Sequence, residues 1–121
     1  FVLSSLKKMV GGEIFVPKIP SYRITDLAKT IAPHSKFKII GKRPGEKIDE
    51  EMITISDAIN TIECKSYYVI LPSPGYLAKN HINKIIRINK GKFCKKNFSY
   101  NSGNNKHFLS ISELKKLIER K

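Results

Sequence analysis

Two charged residues of the chain have types and spacing suited to chemistry: Arg43 and Glu46, in the run Arg43-Pro44-Gly45-Glu46. A guanidinium is a planar fork that can make two charge-assisted hydrogen bonds to a diphosphate. A carboxylate can accept hydrogen bonds from sugar hydroxyls. Held together on one turn, such a pair could grip both parts of a nucleotide-sugar. The plainer alternative is an exposed turn whose two charges pair with each other, or an acid placed favourably near a helix N-terminus. Further upstream, Pro17-Lys18-Ile19-Pro20-Ser21-Tyr22 offers Lys18, Ser21 and Tyr22 as possible ligand contacts, with solvated lysine as the ordinary alternative for Lys18. No residue recommends itself as catalytic. His34, His81 and His107 are scattered in polar surroundings. Cys64 and Cys94 stand thirty residues apart, with no CxxC and no histidine at metal-ligand spacing, which excludes a disulfide framework and a zinc site. Cys64 reads as a small buried residue rather than a nucleophile, and a reduced, cytoplasmic setting is the default.

The elements that would position these residues follow from periodicity and punctuation. Phe37 to Ile40 reads as a short strand ending at Gly41. Pro44 pushes Arg43 out of the helical region, and Gly45 can take a positive φ. Ile48, Met52 and Ile53 then recur at helical spacing beside Glu50 and Glu51. The expectation is a strand that delivers Arg43 and Glu46 onto a tight turn above a sheet edge, where ligands of α/β folds sit. Upstream, residues 1–9 read as the end of an amphipathic helix with Val2, Leu3, Leu6 and Met9 on one face, stopped by Gly11-Gly12. Glu13 to Val16 reads as a strand. The prolines make 17–22 an extended loop. Thr25-Asp26 opens a helix, one of the two capping it, with Leu27, Ala28 and Ile31 inward and an end near Pro33. Downstream, Ser56-Asp57-Ala58 begins a helical turn. Tyr67 to Leu71 is the strongest strand, closed by Pro72-Ser73-Pro74-Gly75, the best candidate boundary. Tyr67, Tyr68, Phe15 and Phe37 read as core. Ile82, Ile85 and Ile86 suggest a basic helix, although its asparagines lower helix propensity. Tyr100 to Asn105 reads as a polar loop. Ser110 with Glu113 forms a capping box, and Leu114, Leu117 and Ile118 make the apolar face of a last helix.

The whole chain sets limits. Its 121 residues and 40% apolar content suit one small domain, or part of a larger one. No apolar run approaches the roughly 20 residues of a membrane span. The chain opens in mid-pattern, without an initiator Met or a basic leader, so it reads as beginning inside a helix of a longer protein, or as processed. The net charge is +13, and Lys79 to Lys96 carries seven basic residues and no acid. That raises a free-standing nucleic-acid-binding module as an alternative. Against it, Phe93 is the only aromatic in the run, and the reading leaves the Arg-Pro-Gly-Glu turn unexplained. The balance is against nucleic acid.

Three runs together carry a resemblance: Gly11 to Ser21 (Gly-Gly-Glu-Ile-Phe-Val-Pro-Lys-Ile-Pro-Ser), Ile24 to Ala28 (Ile-Thr-Asp-Leu-Ala), and Ile39 to Ile53 around Arg-Pro-Gly-Glu-Lys-Ile-Asp-Glu-Glu. With Tyr67 to Pro72 and the late Tyr-Asn-Ser-Gly-Asn-Asn segment, they resemble the C-terminal part of the inverting UDP-N-acetylglucosamine 4,6-dehydratases, extended short-chain dehydrogenases/reductases of capsule and flagellin-glycan biosynthesis. Related epimerases carry similar turns, so a UDP-sugar epimerase is a second possibility. The resemblance implies an α/β fold of short strands interleaved with helices, the substrate-binding portion without its Rossmann half. It implies a nucleotide-sugar-binding portion over 1–72 and a basic C-terminal extension over 73–121 ending in a helix. It makes Arg43 the contact to the UDP diphosphate, Glu46 the acceptor from the ribose hydroxyls, and Lys18 a weaker substrate contact. It implies a homo-oligomer and a UDP-sugar substrate, with no membrane. NADP would be bound by the missing half and by nothing in this chain, which has neither a Gly-rich cofactor loop nor a Tyr-x-x-x-Lys pair and would be inactive alone. Asp49 stands where many relatives carry His.

Overall fold

The computed structural model describes residues 1–73, 75 and 78–119. They form a mixed α/β fold of short strands interleaved with helices, as the sequence predicts. The chain divides into two compact units, Phe1–Lys18 with Met52–Tyr100, and Ile19–Glu51 with Asn101–Lys121.

The first unit is built on a four-stranded antiparallel sheet. Its strands are β1 (Ile14–Pro17), β3 (Thr61–Glu63), β4 (Tyr67–Ile70) and β5 (Lys92–Phe93), in the order β1-β4-β3-β5. β4 is central: Val69 lies opposite Phe15 on one side and Ile62 on the other. Successive side chains of a strand point to opposite faces. Tyr67, Val69 and Leu71 therefore join Ile62, Cys64 and Ile85 in one cluster, and Tyr68 joins Val16, Ile53 and Tyr100 in a second. Both faces are covered, which is why this stretch reads as unbroken apolar sequence rather than alternation. Pro17 closes β1 at the sheet edge, where a missing N–H is tolerated. The opening helix, α1 (Val2–Lys8), is present as predicted, and its Val2, Leu3 and Leu6 are exposed. The expected short helix is α3 (Ile55–Ala58), with a Thr54–Asp57 capping box.

The basic helix is also present, as α4 (Lys79–Asn89), with Ile85 fully buried. One of the asparagines that argue against this helix has a structural use. Buried Asn89 accepts from the Tyr67 hydroxyl at 2.8 Å and donates to the Ile85 carbonyl at 2.9 Å. The helix ends in a Schellman-type closure, with Lys90 N–H on the Arg87 carbonyl and Gly91 N–H on that of Ile86. Lys90 takes the left-handed conformation, φ 50°, that usually belongs to glycine. Gly91 is required for space instead: a Cβ there would lie 2.7 Å from Ile62 Cδ1.

In the second unit, α2 (Ile24–Ile31) packs with α5 (Ile111–Ile118). The predicted Ser110–Glu113 capping box is present, and Leu114 is the buried residue of α5, while Leu117 and Ile118 are half exposed. Strands β2 (Glu51–Ile53) and β6 (Tyr100–Asn101) form a separate two-stranded sheet, of which Met52, Ile53 and Tyr100 belong to the first unit.

Several expectations are corrected. Phe37 to Ile40 is not a strand, and Ile39 is 90% exposed. Its β-branched residues favour extended backbone, but a strand also needs a ladder partner and a surface to cover. For the same reason Phe37 is not core. The segment after the turn is strand β2, not helix: it pairs with β6, and of its three residues only Ile53 is buried. Helix α2 is capped by neither Thr25 nor Asp26. Arg23 holds the cap position with no side-chain hydrogen bond, and Asp26 sits in the first turn. Tyr100 and Asn101 are strand rather than loop. In the Pro72 to Gly75 punctuation, Pro74 lies outside the described residues.

Both cysteines are free thiols, Cys64 buried and Cys94 half-buried. Burial pushes both thiols up, that of Cys94 to about 11. A raised folded-state value means that the unfolded chain loses its thiol protons first. Stability is therefore intact below the ordinary thiol range and falls as pH rises from there toward 11. Urea midpoints measured between pH 8 and 11 should decline, and a Cys94→Ser variant should decline less. Alkylation by iodoacetamide at pH 8 should be slow in the native protein and fast in urea. At the end of α4, Lys90→Gly should raise stability by roughly 0.5–1 kcal/mol by relieving a left-handed residue. The neighbouring Gly91→Ala should cost about 1–3 kcal/mol by overpacking Ile62. Thermal melts of the two variants check the opposite signs.

Candidate functional site

The Arg43-Pro44-Gly45-Glu46 turn forms as predicted. Glu46 N–H donates to the Arg43 carbonyl at 3.1 Å, and Gly45 sits at φ 84°. Proline followed by a positive-φ glycine is the chemistry of a type II turn. The Glu46 carboxylate folds back over it. One oxygen, Oε2, accepts from the Arg43 backbone N–H at 2.9 Å, and Oε1 lies 3.6 Å from Arg43 Nε. The two predicted residues are thus brought together, and both are exposed. The ion pair engages Nε and leaves the fork of terminal nitrogens for another acceptor. An exposed pair of this kind is worth about 0–1 kcal/mol. A hydrogen bond to a charged ligand group is worth about 1.5–3 kcal/mol. The pair is therefore weak enough for another anion to compete with Glu46 for the guanidinium.

Two polar side chains that the sequence reading did not single out hold the surroundings of this turn within the second unit. Ser102 Oγ accepts from the Glu50 backbone N–H at 2.9 Å, and Ser102 N–H donates to the Glu50 carbonyl at 2.9 Å. Asn105 Nδ2 donates to the Ile19 carbonyl at 2.7 Å and lies 3.0 Å from Ser21 Oγ. Ser21 also forms a parallel bridge to Phe108. The sequence signal was the Asn101-Ser-Gly-Asn-Asn run itself, whose residues favour side-chain-to-backbone bonding.

Lys18 belongs to the first unit and has partners of its own there. Its Nζ lies 2.7 Å from Glu63 Oε1 and 4.7 Å from the centre of the Tyr68 ring. Burial, then the charge of Glu63, push the Tyr68 hydroxyl up to about 12, so it stays protonated. In the same unit, a cavity of about 470 Å³ is lined by Gly12, Ile14, Asp57, Asn60 and Leu71 among others, and none of the three predicted residues lines it. Its carboxylate, Asp57, accepts from Thr54 Oγ1 at 2.8 Å as part of the α3 cap. Among the described residues, no group of three or more His, Cys, Asp or Glu could hold a metal ion.

The chain's glycine pair does not fit a dinucleotide cofactor. Gly11 and Gly12 precede β1, whereas a phosphate cradle follows a strand and opens a helix. The backbone N–H groups of Val10 and Gly11 are already taken by the buried Glu13 carboxylate, whose charge would repel a pyrophosphate.

Known proteins bear out the resemblance. Two curated relatives from Campylobacter jejuni, of serotypes O:2 and O:23/36, are each named UDP-N-acetylglucosamine 4,6-dehydratase (inverting) and are 47% and 45% identical over 98% of this chain. The chain spans about a third of their length, 36% in each case. Among solved structures, Pen from Bacillus thuringiensis superposes with a TM-score of 0.68 and 27% identity, over 96% of this chain and 33% of that one. Residues 1–72, which include Lys18, Arg43 and Glu46, match the model of a family described as polysaccharide biosynthesis protein. More than half of the chain lies within that match, and the chain belongs to the polysaccharide biosynthesis protein family.

Proposed function

We propose that the chain is the UDP-sugar-binding portion of a nucleotide-sugar 4,6-dehydratase acting on UDP-N-acetylglucosamine for surface polysaccharide or flagellin glycan. The observation that carries this reading is the Arg43–Glu46 turn. It presents a guanidinium fork and a carboxylate on one turn, paired weakly enough to be exchanged for a ligand. The activity for which the two Campylobacter jejuni relatives are named supports the same substrate class. Arg43 takes the diphosphate, bidentate through its terminal nitrogens. Glu46, released from Arg43, accepts from the ribose hydroxyls. Residues 1–72 make up the nucleotide-sugar-binding portion and 73–121 a basic extension. Lys18 is a weaker contact, since binding a ligand would require it to leave Glu63 and the Tyr68 ring.

NADP would supply hydride transfer in the complete enzyme, from residues outside this chain, because the glycines here do not fit it. This chain binds and orients the nucleotide end, and alone it is inactive. The two free thiols support a cytoplasmic setting, and the resemblance supports a homo-oligomer.

In the complete gene product, Arg43→Ala should raise the KM for the UDP-sugar by roughly 10- to 100-fold, equivalent to about 1.5–3 kcal/mol. Arg43→Lys should recover only part of this, because lysine keeps the charge and loses the fork. Steady-state kinetics with UDP-N-acetylglucosamine make the test. Unchanged KM and turnover in Arg43→Ala would overturn the assignment.

A further inference from the structure

We propose that Asn101–Leu109 is a positioning strap for the nucleotide-sugar site, with Ser102 and Asn105 as its positioning residues. The proposal rests on the UDP-sugar reading above. The chain that carries Arg43 and Glu46 has no helix or strand from Pro33 to Glu50. Backbone of that kind samples many conformations unless something ties it down. A binding site, by contrast, needs its groups held close to the bound geometry before the ligand arrives.

The strap supplies the ties. It is first rigid in itself. Asn101 Oδ1 accepts from the backbone N–H groups of Gly103 and Asn104 at 3.0 and 2.8 Å, and Asn104 Oδ1 accepts from Asn101 N–H at 3.0 Å. These asparagine side chains are spent on the turn's own backbone. One end of the strap then grips the arm just past Glu46. Ser102 exchanges two hydrogen bonds with Glu50, as described, and its hydroxyl lies 3.4 Å from Asp49 Oδ1. The approach is close: a Cβ on Gly103 would lie 2.6 Å from the Asp49 carboxylate, which would have to swing aside. Asp49 is three residues from Glu46, so at most about 10 Å of chain separates the grip from the turn.

The other end of the strap grips the Pro-Lys-Ile-Pro-Ser loop. Asn105 Nδ2 reaches the Ile19 carbonyl and Ser21 Oγ, while Asn105 Oδ1 accepts from His107 N–H at 3.1 Å. Ser21 N–H donates to the His107 carbonyl and Leu109 N–H to that of Ser21, both at 2.8 Å. One short segment therefore fixes the chain on both sides of the candidate site. Its two key side chains act through backbone they hold, and they need touch no ligand.

The test uses Ser102→Ala, Asn105→Ala and the conservative Ser102→Thr in the complete gene product, each also combined with Arg43→Ala. KM for UDP-N-acetylglucosamine, inhibition by UDP alone, turnover and melting temperature are measured. Ser102→Ala and Asn105→Ala should each weaken UDP binding roughly 3- to 10-fold, the worth of one neutral hydrogen bond, with turnover within about twofold. Ser102→Thr should restore binding. In the Arg43→Ala background Ser102→Ala should weaken UDP binding by less than about twofold, because it acts through that turn. Lower melting temperatures with unchanged UDP binding, or a Ser102→Ala effect that multiplies with that of Arg43→Ala, would overturn the strap and leave the UDP-sugar reading standing. If Arg43→Ala itself leaves UDP binding unchanged, the UDP-sugar reading falls and the strap falls with it.

Discussion

The first unit depends on one constraint: β4 must be buried on both faces at once. Tyr67, Val69 and Leu71 on one side and Tyr68 on the other each need their own cover. Helix α4 supplies one cover through Ile82, Ile85 and Ile86, and Ile53 and Tyr100 contribute to the other. β4 brings two hydroxyls into these clusters with its tyrosine rings, and a buried hydroxyl must find a partner. Tyr67 finds Asn89, which explains an asparagine where an apolar residue would pack equally well. The raised Tyr68 hydroxyl and Cys94 thiol follow from the same dry surroundings.

The second unit is held differently. It has little buried apolar side chain, and Leu114 is the one large residue of α5 that is fully enclosed. Order there comes from side-chain-to-backbone hydrogen bonds: Glu46 on its own turn, Ser102 on Glu50, Asn105 on Ile19. Each such bond is modest, about 0.5–1.5 kcal/mol net. Their value is geometric, because each fixes a backbone point near the candidate site. A turn closed by weak, exposed polar contacts can also open them to a ligand at little cost.

The sequence made legible what depends on local chemistry. Pro44 and Gly45 imposed the turn, Ser110 with Glu113 imposed the cap, and Tyr67 to Leu71 declared itself the strongest strand. Errors arose where tertiary context overrode local preference. Phe37 to Ile40 has strand-forming residues but no strand to pair with, so propensity alone misled. Met52 and Ile53 fit a helical repeat through Ile48, yet two adjacent residues serve a strand equally well, and pairing with the distant β6 decided between them. Of the candidate site, the Arg43–Glu46 pair was visible because its geometry is set within four residues. Lys18 looked available because its partner, Glu63, is far away in sequence. Ser102 and Asn105 were hidden for the same reason, since their partners lie more than fifty positions upstream.

Among the described residues, β1 and β5 are the edge strands of the first unit's sheet, and an unpaired edge invites another chain to add a strand. β1 lies at one edge with Ile14 largely exposed, but it runs into Pro17, which offers no donor, and then Lys18. β5 lies at the other edge and is only two residues long. Lys92 belongs to it, and Lys95 and Lys96 follow at once. Short length, proline and lysine are the devices by which soluble sheets avoid sticking edge to edge. Part of the chain's positive charge thus sits beside β5, where a second molecule approaching the edge would meet like charge before it could pair.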